Sequence, residues 1–71
     1  MSANLKKRIK VNGNWHECAS STLEELVLEL DYAGSTIATA KNHEFVRIKQ
    51  RHETPIVEGD EIEILIPMQG G

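Results

Sequence analysis

The sequence predicts an α+β domain in which one helix covers a single sheet, and three patterns predict it. Asn12-Gly13 follows alternating apolar and basic residues, as in a two-residue hairpin. Leu23, Leu26, Val27 and Leu30 recur at i, i+3, i+4 and i+7, the stripe of an amphipathic helix. Behind a Glu58-Gly59-Asp60 turn, Ile62, Ile64 and Ile66 alternate with Glu61, Glu63 and Leu65, the period of a half-buried strand.

In chain order, Ile9 and Val11 alternate with Arg8 and Lys10 in a first strand. Asn12 and Gly13 tolerate the positive φ of a type I′ turn, and Asn14 to Cys18 return. The small polar run Ala19-Ser20-Ser21 ends that strand. A helix follows with two possible caps, since Ser21 precedes Glu24, and Thr22 precedes Glu25, at the capping-box spacing. It stops between Asp31 and Gly34, with Gly34 as the left-handed cap. Leu28 falls off the apolar stripe, either at the helix margin or on the exposed side. Ile37 to Lys41 reads as a strand, Asn42-His43 as a tight turn and Glu44-Phe45-Val46 as the return. Arg47 to Thr54 shows no clean period and reads as loop or irregular edge, and Pro55 bars a central strand there. Pro67 ends the last strand, whose three isoleucines face the core and whose glutamates face water, with Leu65 as the odd apolar residue outside.

At 71 residues the chain is one small domain. A domain of this size buries only about 60% of its unfolded surface, which leaves no room for both a core and a deep substrate cavity. A self-contained enzyme is therefore disfavoured. Eight Lys and Arg against eleven Asp and Glu give a net charge of −3, without the basic excess that a nucleic-acid binder needs. The ends differ in sign: Lys6, Lys7, Arg8 and Lys10 lie near one, and Glu58, Asp60, Glu61 and Glu63 near the other. Cys18 alone cannot form an internal disulfide, and His16, His43 and His52 lack zinc-site spacing, so a reducing compartment and no metal are expected. The apolar run from Ile64 to Met68 is too short to span a bilayer, and no signal-peptide core opens the chain; the expectation is a cytoplasmic protein with no membrane contact.

The residues that bear chemistry are few. Gly70 and Gly71 end the chain after Pro67-Met68-Gln69, and two residues without Cβ can thread a narrow channel and present a carboxylate to another enzyme. By itself such an ending is also what a frayed terminus looks like. Cys18 has no neighbour that would lower its pKa and reads as a structural thiol. Trp15 reads as a sheet-surface or core residue, and the acids from Glu58 to Glu63 as a solubilising face or an electrostatic aid to docking.

Taken together, Ile9-Lys10-Val11-Asn12-Gly13, Thr22-Leu23-Glu24-Glu25-Leu26, Glu58-Gly59-Asp60-Glu61-Ile62-Glu63-Ile64 and Pro67-Met68-Gln69-Gly70-Gly71 resemble the ThiS family, sulfur carriers of thiamine biosynthesis. The resemblance spans Ile9 to Gly71. It implies a ubiquitin-like β-grasp fold with the first and last strands side by side and parallel. It also implies that the chain is a protein co-substrate and not an enzyme. An E1-like adenylating enzyme, using ATP and magnesium that this chain does not itself bind, would activate the Gly71 carboxylate. A cysteine desulfurase or other sulfur relay would then supply the sulfur of a thiocarboxylate, which the carrier delivers to thiazole synthase. Gly71 would hold the reacting carbon, Gly70 would give slim passage, and Met68 and Gln69 would line the approach. Leu65 and Pro67 would join a docking surface; the alternative for Leu65 is an incidental exposed leucine or one covered by the chain's own loop.

Two departures from the family pattern stand out. Residues 1–7 form an extension expected to be flexible, as does the tail 67–71, and His43 replaces the Gly of an Asn-Gly turn, so a different turn or register is expected there. The alternatives are a carrier like the small subunit of molybdopterin synthase, a ubiquitin-like modifier, or a noncovalent β-grasp binding module whose glycines do no chemistry.

Overall fold

Five strands, one α-helix and one 3₁₀ helix make up the computed structural model, which describes residues 6–32 and 34–67. β1 (Lys7–Val11) and β2 (Asn14–Cys18) form the first hairpin, followed by α1 (Leu23–Glu29). β3 (Ala38–Lys41) and β4 (Glu44–Val46) form the second; a 3₁₀ helix, Ile48–Glu53, leads on toward β5 (Glu61–Leu65). The sheet order is β2-β1-β5-β3-β4, with β1 and β5 parallel and every other pair antiparallel. This is the β-grasp arrangement that the resemblance implies.

Residue chemistry accounts for the joints. Asn12 and Gly13 take φ of 52° and 86°, as a two-residue type I′ hairpin requires. Of the two candidate caps, Thr22 is used: its Oγ1 accepts from the Glu25 N–H at 3.2 Å, while Glu25 Oε1 accepts from the Ser21 N–H at 2.7 Å. The helix buries Leu23, Leu26 and Val27 against Ile9, Cys18, Ile37, Val46, Ile56, Ile62 and Ile64, and Leu30 is partly buried beside them. Alternation then leaves the other sheet face open: Trp15 and Glu17 on β2, Arg8 and Lys10 on β1, Glu61, Glu63 and Leu65 on β5, Ala38 and Ala40 on β3, and Phe45 on β4.

The structure corrects several expectations. Lys7 belongs to the first strand and not to the extension, because it pairs with Cys18; beside it Arg8, in the strand as expected, pairs with Glu17 and donates its N–H to Glu58 Oε1 at 2.9 Å. The helix ends earlier, and its left-handed residue is Asp31 (φ 68°), not Gly34. The Tyr32 N–H reaches Val27 O and the Asp31 N–H reaches Leu28 O, the two bonds of a Schellman cap. His43 adopts φ 74° after Asn42 at 51°, so the second hairpin keeps the two-residue left-handed turn without a glycine. Arg47–Thr54 is not a plain loop: residues 48–53 form the 3₁₀ helix because the Arg51 side chain turns inward, donating from Nε to Thr39 Oγ1 and from Nη2 to Ile37 O. Ile66 lies beyond the ladder and is exposed, whereas Ile62 and Ile64 are buried as expected.

Candidate functional site

The last strand carries the candidate site, and its neighbours hold it from both sides. Asn12 on the β1–β2 turn uses its side chain as a short strand: Oδ1 accepts from the Ile64 N–H at 2.9 Å and Nδ2 donates to Ile64 O at 3.1 Å. Across β5, Asn42 on the β3–β4 turn donates its backbone N–H to Glu61 O, accepts the Glu61 N–H on Oδ1, and gives Nδ2 to Asp60 Oδ1. Asp60 is buried; its Oδ2 accepts the Val57 N–H at 2.8 Å and lies 3.6 Å from Lys41 Nζ. In the sequence both asparagines read as turn formers and Asp60 as part of a solubilising run. Their second role depends on which strand passes beside each turn, which no local pattern shows.

β5 delivers the chain through Leu65, Ile66 and Pro67, all exposed. Leu65 pairs with Ala38, and Ala40 with Phe45, so these four side chains are neighbours on the open face. Leu65 and Phe45 are 63% and 68% exposed, and with Ala38, Ala40, Thr39 and Glu63 they outline a shallow hollow of about 70 Å³. Phe45 was missed as a candidate because its place beside Leu65 comes from sheet order, two strands away from β5. Met68, Gln69, Gly70 and Gly71 lie outside the described residues.

The rest of the open face is polar. Arg8 and Lys10 stand over the Trp15 ring, 4.7 and 5.3 Å from its centroid, and Glu61 and Glu63 lie between this cationic pair and the Leu65–Phe45 patch. A larger, polar hollow of about 590 Å³ sits at the other end of β3, between the Asn42-His43 turn and the 3₁₀ helix, away from Leu65. Cys18 is fully buried, and desolvation pushes its thiol above the ordinary value of 9.0, against a backbone hydrogen bond at Ser20 that lowers it. A buried, neutral thiol is a poor nucleophile. Among the described residues no group of three or more His, Cys, Asp or Glu is placed to hold a metal ion, and no helix is long and apolar enough to cross a membrane.

The ThiS family profile matches residues 9–71. The chain belongs to the ThiS family. The crystal structure of the thiamine biosynthesis protein ThiS from Geobacter metallireducens superposes with a TM-score of 0.78 at 25% identity, covering 90% of this chain and 99% of that one. No curated protein matches. Membership joins the sequence motifs to the geometry: the matched span runs through the clamped β5, the Leu65–Phe45 patch and the Gly-Gly sequence that ends it.

Proposed function

We propose that this ThiS-family chain is a sulfur carrier of thiamine biosynthesis whose Gly71 carboxylate is adenylated and then converted to a thiocarboxylate. The observation that carries the reading is the family match through Gly71, in a chain whose last strand, β5, precedes that residue in sequence. A carboxylate is a poor acyl donor. Attack of its oxygen on the α-phosphorus of ATP expels pyrophosphate and installs AMP as a leaving group, which a persulfide sulfur can displace. A further thiol then attacks the inner, cysteine sulfur of the resulting acyl disulfide, forms a disulfide with it and expels the outer sulfur on the carrier as the thiocarboxylate.

This chain contributes positioning, not acid–base chemistry. Asn12 and Asn42 fix β5, Gly70 and Gly71 offer no side chain to obstruct a channel, and Met68 and Gln69 line the approach. Leu65, Pro67 and, from the sheet geometry, Phe45 and Ala40 form the docking patch for an E1-like adenylating enzyme that brings ATP and magnesium. Thiazole synthase is the acceptor, and a cysteine desulfurase or equivalent relay the sulfur source.

ATP–pyrophosphate exchange by a thiamine-pathway activating enzyme tests the first step. Exchange should depend on the full-length chain and disappear when Gly71 is deleted. Equal exchange with both chains refutes the assignment.

A further inference from the structure

Arg51 is 8% exposed, and its charge has no carboxylate within 4 Å among the described residues. Among the described residues it donates to neutral oxygens, Thr39 Oγ1 and Ile37 O. A guanidinium has five N–H donors, and burying its charge without a counter-ion is costly. Arg51 also lines a groove of about 220 Å³ between α1 and the 3₁₀ helix, walled by Val27, Leu28, Tyr32 and Ile48. Leu28 and Ile48 are 57% and 68% exposed there, on the face opposite the Leu65–Phe45 patch. Glu24 lines the same groove without coming within 4 Å of Arg51.

We infer that this groove is a second docking site, and that its occupant is a segment of a protein partner presenting a carboxylate side chain beside aliphatic ones. The carboxylate meets the guanidinium, a planar fork that matches its geometry, while the aliphatic neighbours cover Leu28 and Ile48. Charge complementarity selects this occupant: a purely apolar segment would bury Arg51 further with its charge still uncompensated. The site lies on the helix side of the sheet, so it can be filled while the open face and the tail are engaged elsewhere.

The test is an NMR titration of the full-length ¹⁵N-labelled chain with acetyl-Leu-Glu-Leu-amide and, separately, with its Gln counterpart. The Glu peptide should shift the Arg51 Nε–H and the amides of Leu28 and Ile48, and the Gln peptide should bind roughly tenfold more weakly. Ile48→Glu, at an exposed position that leaves the fold intact, should abolish the preference. Equal affinity for the two peptides, or shifts elsewhere only, overturns the inference. So does binding that emerges only after residues 68–71 are removed, which would make the chain's own tail the occupant. None of these readouts depends on adenylation, so failure here leaves the carrier assignment standing.

Discussion

Asn12 does two jobs that a turn residue is not usually asked to do. Its left-handed backbone closes the first hairpin, and its side chain forms two hydrogen bonds to Ile64 on the strand that bears the site. Glycine suits the turn equally well but has no amide. Asn12→Gly should therefore lower stability by about 1–2 kcal/mol, despite the favourable backbone, in urea unfolding. Cys18 carries a different signature. Its thiol is held protonated by burial, so above pH 9.0 the unfolded chain loses a proton that the folded chain keeps, and stability must fall as pH rises. Comparing unfolding of the parent with Cys18→Ala across that range should show the parent losing ground, by up to about 1.4 kcal/mol per pH unit. A constant difference would contradict a buried neutral thiol.

Helix α1 shows where local sequence suffices and where it fails. The Leu23, Leu26, Val27 stripe was legible and the cap narrowed to Ser21 or Thr22, because each follows from spacing within a single turn or two. The C-terminus was misread because Gly34 looked like the better left-handed residue, whereas the chain turns at Asp31, letting Tyr32 fold back against the core. An aspartate there bears both a Cβ penalty and an unfavourable charge at the helix C-terminus. Asp31→Gly should raise stability by about 0.5–1 kcal/mol in thermal or urea unfolding. The 3₁₀ helix was invisible for a related reason. Its inward residue is an arginine, and a buried guanidinium breaks the apolar pattern from which helices are read. Ile66 erred the other way: the alternation continued one residue past the end of the pairing, at Leu65.

For the whole molecule, the order of elements and the parallel contact of β1 with β5 divide the labour between two faces. One side of the sheet is closed by α1 and supplies stability; the other is open and presents the exposed Leu65 and Phe45. Of this arrangement, the exposure of Leu65 was readable from the last strand alone. The position of Phe45 beside Leu65 was not, because it rests on the pairing of β3 with β5, about twenty residues further along the chain. Since Phe45 and Leu65 are exposed, Phe45→Glu and Leu65→Glu should change folding stability by no more than about 0.5 kcal/mol while weakening use of the chain by its activating enzyme. Raised KM with unchanged unfolding would identify a docking surface; unchanged KM would return Leu65 to the status of an incidental exposed leucine.

The most direct test of the central claim is the intact mass of the chain after incubation with an activating enzyme, ATP, magnesium and a desulfurase with cysteine, beside a chain lacking Gly71. A sulfur carrier should exchange one oxygen for sulfur in the full-length chain alone. An unchanged mass with enzymes proven active on another carrier would contradict the account.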